Sequence, residues 1–302
     1  MASLSMASGS RPLFRTGRRL RPPPPIADLS TASASDRLAR PRESDLSERP
    51  AKFFKYRSMD AASLPWVEKT VLHNEVYFAP ALSFNDPFDL RPALVLDGTP
   101  QEHRQRFIAS SVKFEPHLSA SEREAAADQA MTSMTPERID ETASFIQALH
   151  SQQLTTGHGV FCVSAKRDDI LMWSHYADHH RGICLEFDGH GRFMAHAHPV
   201  RYSEERVPIN AYRDDSDTML QKAMFTKSNH WAYESEWRLL SYQRGPGVVQ
   251  FGPENLTGIV IGAMASAATV EKVLGWCKTR PEPIQVYRAS INNKRFELDI
   301  RP

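Results

Sequence analysis

The chain is poor in cysteine: Cys162, Cys184 and Cys277 are the only three in 302 residues. Three thiols with no CxxC pair supply neither a disulfide framework nor a zinc cage, so a reducing, cytoplasmic compartment is the default. No apolar run approaches the roughly 20 residues that a membrane helix needs, which predicts a soluble protein without a membrane partner. Neither sign of charge is in excess, since 37 basic and 36 acidic side chains leave a formal net charge of +1. So even a balance gives no whole-chain argument for nucleic acid or an anionic surface. Glycine is scarce at 14 residues, and neither GxGxxG nor GxxxxGK[ST] occurs. Any nucleotide must then be held by side chains and irregular loops. Against these absences stands an apolar content of 41%, enough for a real core.

Residues 1 to about 50 are rich in Ser, Ala, Arg and Pro, and no acidic residue precedes Asp28. Such a segment buries too little surface to offset its ordering entropy, so a disordered leader is expected. Its composition resembles an organelle transit peptide, and also the unstructured secretion leaders of bacterial effectors that are translocated into a host cell.

From Ala51 to Pro302 the pattern predicts a single α+β domain. Strands are expected at 53–57, 75–79, 159–164, 182–187, 256–262, 284–287 and 296–300, with helices at about 64–72, 170–177 and 267–279. Pro80 to Asp89 reads as a loop whose Asn85-Asp86-Pro87 is strong turn chemistry. Residues 100 to 153 shift to Glu, Gln, Ala and Arg, which predicts a helical insertion of two to three helices. Strands and helices do not alternate regularly, so a mostly antiparallel sheet is expected rather than a βαβ array. His175 and His179 have i, i+4 spacing that suits zinc, but no third ligand and no metalloprotease Glu accompany them, so no metal site is assigned.

The stretch from Trp231 to Leu240 carries the most chemistry. Read as one strand with period two, it places Glu234, Glu236 and Arg238 on one face and Tyr233, Ser235 and Trp237 on the other. Glutamate is depleted in strands, so two on one face ask for a reason. One reason is a solvated face with Arg238 paired to Glu236. The other is a carboxylate presented into a cleft.

Four segments, in order, resemble an uncharacterised, mostly bacterial family, the domain of unknown function 2971. They are Phe54-Lys-Tyr-Arg-Ser58, Tyr77 to Asp89 with its Ser-Phe-Asn-Asp-Pro-Phe-Asp core, Leu171-Met-Trp-Ser-His-Tyr-Ala177, and Trp231 to Arg238. The order of chemical groups also resembles ADP-ribosyltransferases of the Arg-Ser-Glu type. That resemblance implies a split, mostly antiparallel sheet with NAD as substrate in its cleft, and a macromolecular acceptor, protein or nucleic acid. It implies Glu236 as the catalytic carboxylate, Glu234 as its partner toward the acceptor, and Ser164 as the serine that holds the ribose or orients Glu236. Arg57 would bind the diphosphate, with Tyr56 beside it. Tyr77, Phe84 and Trp173 would stack on the rings, while Asn85, Asp86, His175 and Tyr176 line the site. The serine departs from the family pattern, being followed by Ala165 and Lys166 where arginine-specific members show Ser-Thr-Ser.

Two other readings use the same residues. A metal-dependent nuclease or hydrolase would gather Asp86, Asp89, Glu234 and Lys227 around a divalent ion. A non-catalytic defence or effector module would bury Trp173, Trp231 and Trp237 as core and spend the charges on structural pairs. Oligomeric state is not legible.

Overall fold

A computed structural model describes residues 49–242 and 245–302. The leader predicted over 1 to about 50 therefore falls almost wholly outside the described residues. The first strand, β1 (Lys52–Arg57), is followed by α1 (Leu64–His73), which has proline in its first turn and the left-handed Asn74 as its C-cap. Next come β2 (Glu75–Pro80) and the short β3 (Leu94–Val95). Three helices then occupy the predicted insertion: α2 (Pro100–Phe114), α3 (Ala120–Thr132) and α4 (Pro136–Gly157). Thr99 and Ser119 start the first two, each with a reciprocal capping box that satisfies two orphan N–H groups.

The chain returns through β4 (His158–Ser164) to α5 (Ile170–Tyr176) and β5 (Ile183–Asp188). Asp169 caps α5, its carboxylate accepting from the N–H groups of Leu171 and Met172. The segment that follows is broken into β6 (His198–Pro199), β7 (Arg201–Ser203), β8 (Ile209–Asn210), α6 (Ser216–Met224) and β9 (Thr226–Ser228). The last elements are β10 (Glu236–Tyr242), β11 (Gly247–Gln250), β12 (Leu256–Ile261), α7 (Ala267–Thr279), β13 (Gln285–Ile291) and β14 (Leu298–Arg301). The strand β11 lies inside what reads in sequence as a Gly/Pro loop; it finds its partner in β2, far back along the chain, with Val248 opposite Tyr77.

The fold is mixed α/β around a ten-stranded open sheet, with β11-β2-β4-β1-β5-β12-β13-β14 as its path and β10 and β6 attached at β4. Every pairing in it is antiparallel except β12 with β13. Alternation along β5 shows how the sheet is held. Ile183, Leu185 and Phe187 point into one core, where Val67, Val71, Val273 and Trp276 from α1 and α7 meet them. Cys184 points into the opposite core with Tyr56, Trp173 and Val260. Burial on both faces is what lets the strands read as nearly continuous apolar runs.

One irregularity positions the site. Along one edge β4 pairs fully with β10, from His158↔Tyr242 to Ser164↔Glu236. Along its other edge β4 pairs with β2 only at Gly159 and Val160, and with β1 only at Ser164. The sheet forks there, and the backbone between those two contacts is left without a strand neighbour. No helix among the described residues is long and apolar enough to cross a membrane.

Candidate active site

A cleft of about 490 Å³ opens at the fork. Phe54, Ser164 and Glu236 are in register on three neighbouring strands and share a face of the sheet. Lys55 and Arg57 leave β1 on the other face, yet line the same cleft, because the fork opens the sheet between them. The Nζ of Lys55 fills the gap, donating to the Cys162 carbonyl at 2.7 Å. That ammonium is desolvated and sits near Arg57, so its pKa falls to about 8. Burial also lowers the pKa of Arg57. Among the described residues Arg57 has neither an ion pair nor a hydrogen-bond partner for its side chain. Guanidinium geometry allows bidentate pairing with an anion. Its backbone is fixed by Gly182, where an added Cβ would collide with the Arg57 carbonyl oxygen.

The floor of the cleft is a buried ionic cluster. The segment expected as one strand from 231 to 240 is in fact a 3-10 turn over Asn229–Glu234, a left-handed Ser235 (φ 44°, ψ 50°), and only then β10. Glu234 and Glu236 therefore do not share a strand face by period two; the kink at Ser235 brings them together instead. Lys227 lies between them, 2.5 Å from Glu234 Oε2 and 3.0 Å from Glu236 Oε2, with Asp89 Oδ2 at 3.5 Å. Arg238 completes the cluster with Nε on Glu236 Oε1 at 2.8 Å and Nη2 on Asp89 at 2.8 and 2.9 Å. The expected Arg238–Glu236 pair exists, but inside the protein rather than on a solvated face: Arg238 is 0% exposed and Glu236 5%. Arg238 is tolerable there because all three of its nitrogens donate, Nε to Glu236, Nη1 to the Met224 carbonyl and Nη2 to Asp89 and Glu236.

The two glutamates are driven apart electrostatically. Burial raises the pKa of Glu234, and the neighbouring Glu236 adds to the rise while Lys227 opposes it. Burial acts on Glu236 too, but Arg238 and Lys227 outweigh it and hold that carboxyl well below the ordinary range. Paired carboxyls with opposite shifts are the arrangement in which one stays ionised and the other exchanges protons. Tyr176 donates from Oη to Glu234 Oε1 at 2.6 Å. Ser164 donates to the Glu234 carbonyl at 2.6 Å and accepts from the Lys166 N–H. Its hydroxyl is thus occupied in pinning the Ser235 kink.

Arg57, Ser164, Glu234, Glu236, Tyr77, Phe84, Asn85, His175 and Tyr176 all line this one cleft. Two expected ligands do not. Trp173 is 0% exposed in the core behind β1, edge-on to Tyr56, stacked with His180 and with its indole N–H on the Arg167 carbonyl; no ligand ring can reach it. Asp86 faces a different cavity and accepts the Phe88 N–H, the self-capping expected of Asx turns. Tyr56 reaches the cleft wall, but its ring is core and its hydroxyl is bound to the Lys166 carbonyl. Phe84 is already under the Arg238 guanidinium, 5.8 Å from ring to charge. Sequence reasoning misses Lys55, although it lies two residues before Arg57 on the same strand face. It also misses Tyr202, whose hydroxyl accepts the Glu236 N–H at 2.8 Å.

Residues 172–239 match the family model of a protein of unknown function, DUF2971. The matched segment runs from within α5 into β10, so it carries Tyr176, Lys227, Glu234, Glu236 and Arg238 and leaves Arg57 outside. No curated protein and no solved structure matches the chain. Of the carboxylates that a metal-dependent hydrolase would use, Asp89 and Glu234 are paired with Lys227, and Asp89 with Arg238 as well, while Asp86 faces the other cavity. His175, set aside as a zinc ligand, has its Nδ1 on the Tyr233 hydroxyl at 2.9 Å.

Proposed function

We propose that the DUF2971 segment and β1 together form an NAD-dependent ADP-ribosyltransferase that modifies a macromolecule. The observation that carries this reading is the charge layout of the one cleft: an unpartnered Arg57 on one wall and the Glu234–Glu236 pair on the floor. NAD has the complementary layout, a diphosphate anion joined through ribose to a cationic nicotinamide. Arg57 would take the diphosphate bidentately, with Lys55 adding positive potential. The exposed ring of Tyr77 offers a stacking surface. The volume lies within the usual range for ligand clefts.

The chemistry follows from the two carboxyls. As the glycosidic C1′–N bond breaks, its electron pair leaves on nicotinamide, which departs neutral, and positive charge develops at C1′ and the ring oxygen. Glu236, kept ionised by Arg238 and Lys227, is the anion that stabilises that charge. The acceptor's lone pair then forms the new bond to C1′, and its proton goes to the Glu234 carboxylate, whose raised pKa suits a base. Ser164 acts on neither atom; it holds the turn that sets both glutamates.

The test is release of nicotinamide from labelled NAD by the full-length chain, with label passing to macromolecules from a lysate. Glu236→Gln is expected to abolish release. Because Glu236 is also structural, Arg57→Ala is the companion variant: it removes no ion pair, so the melting temperature is expected to hold. Its NAD affinity is expected to fall about 10- to 100-fold, as for a lost charge-assisted hydrogen bond. A folded wild-type chain that neither binds NAD nor releases nicotinamide would sink the proposal.

A further inference from the structure

The transferase reading leaves the acceptor's place and kind open, and the cleft's surroundings bear on both. Glu234 is 3% exposed, and both its carboxylate oxygens are engaged, Oε2 by Lys227 and Oε1 by the Tyr176 hydroxyl. A proton from a substrate therefore reaches Glu234 either by displacing the buried ammonium or through Tyr176. The tyrosine route costs no ion pair. A phenol that donates its hydrogen still has lone pairs with which to accept one.

Tyr176 also stands on a boundary. Together with His175 and Asn85 it lines both the cleft and a neighbouring hollow of about 540 Å³. Asp60, Asp178, His179 and Trp231 also line the hollow, and among the described residues no lysine or arginine does. Asp178 is 3.7 Å from Arg181 in an exposed pair, and Asp60 has no ion pair among the described residues. A lining with two carboxylates and neither lysine nor arginine disfavours a phosphate backbone, which needs those side chains for its affinity. It accommodates a neutral nucleophile borne by a protein.

Resting on that transferase reading, we infer that this hollow seats the acceptor, that the acceptor is a protein side chain, and that Tyr176 relays its proton to Glu234. In the step, the acceptor's lone pair bonds to C1′ as the electron pair of the C1′–N bond leaves on nicotinamide. The acceptor's proton passes to Tyr176 Oη while the tyrosine's own proton passes to Glu234 Oε1. Tyr176 ends as it began, Glu234 ends protonated, and solvent later takes that proton. Burial and the adjacent Glu234 both raise the Tyr176 pKa, consistent with a hydroxyl that hands protons on and does not itself ionise.

The experiment uses the full-length chain and labelled NAD with three probes: a nucleic-acid-free peptide pool, total RNA, and sheared duplex DNA. Label is expected on peptide alone. Tyr176→Phe is expected to lower the kcat of transfer on the order of 10²-fold with the NAD dissociation constant unchanged by calorimetry. Rates in mixed light and heavy water should fall along a curve for wild type, where two protons move together, and along a straight line for Tyr176→Phe. Should that variant fold poorly, Asp60→Lys, at an exposed site, is expected to raise the KM for peptide at least several-fold without changing NAD affinity. Label on RNA or DNA, a Tyr176→Phe rate equal to wild type, or an unmoved peptide KM in Asp60→Lys would overturn the inference while leaving the transferase reading standing. Absence of nicotinamide release by wild type overturns both.

Discussion

Replacing Lys227 with methionine tests the electrostatic account of the floor. Three carboxylates, Asp89, Glu234 and Glu236, surround two cations, Lys227 and Arg238. With all five ionised the cluster carries −1, and Lys227→Met takes it to −2 with little change of volume. At an effective dielectric of about 20, each attraction near 3 Å is worth roughly 5 kcal/mol before desolvation is counted. Much of that is offset by the cost of burying the ions. Experience with broken buried pairs puts the net loss at about 3–5 kcal/mol, because the partners left behind are unneutralised. A loss of that size is a large share of a domain's stability. Urea unfolding followed by tryptophan fluorescence would read it. The pH dependence separates this cause from a packing defect. Glu234 already has its pKa raised above the ordinary 4.5 by burial, and loses the opposing pull of Lys227 in the variant. A carboxyl raised in the folded state binds a proton there that the unfolded chain has released, so between 4.5 and the folded value stability rises as pH falls. The deficit of Lys227→Met should therefore be largest at pH 8 and shrink toward pH 5. Adding Glu234→Gln should recover part of it at pH 8. A deficit that is equal at both pH values and untouched by Glu234→Gln would refute the reasoning.

Two further outcomes test the kink that sets the glutamates. Ser164→Ala removes a donor from the buried Glu234 carbonyl and an acceptor from the Lys166 N–H, so a loss of about 1–3 kcal/mol is expected in a thermal melt, together with a lower kcat for nicotinamide release. Ser235→Gly is expected to leave stability unchanged or raise it by up to about 1 kcal/mol: glycine escapes the left-handed penalty of about 1–2 kcal/mol but loses more backbone entropy on folding. Ser235→Val should be destabilising in the same melt.

The parts of the fold legible in sequence are those where local signals and tertiary partners agree. Pro65 sits in the first turn of α1, Asp169 caps α5, and the apolar run of β5 matches burial on both of its faces. Legibility fails where a partner far along the chain decides. Val248 and Val249 become strand because Tyr77 and Val76 lie opposite them, and nothing local in a Gly/Pro stretch announces it. Period two fails at Ser235 for a related reason. A non-glycine residue in left-handed conformation is costly, so a sequence reading extends the strand through it. Ser164 and Ala165, 70 residues upstream, make the conformation affordable by bonding the carbonyls of Glu234 and Ser235.

The site shows the same division. Glu236, Glu234 and Ser164 stand out by residue type, and they do meet at one place. What residue type does not convey is who neutralises whom. Asp89 and Lys227 read as turn and helix-end residues, yet they complete a five-member cluster with Arg238. Trp173 reads as a ring for a ligand, in a motif full of polar residues, yet the one-sided environment of α5 turns it inward against Tyr56. Arg57 is the converse case. In sequence a lone arginine at a strand end is expected to find a surface carboxylate, and here the acids that line the cleft, Glu234 and Glu236, are already held by Lys227 and Arg238. That allocation, and not the presence of an arginine, leaves one positive charge in the cleft with no partner. It is the reason the cleft asks for an anion at one wall while offering an anion at its floor.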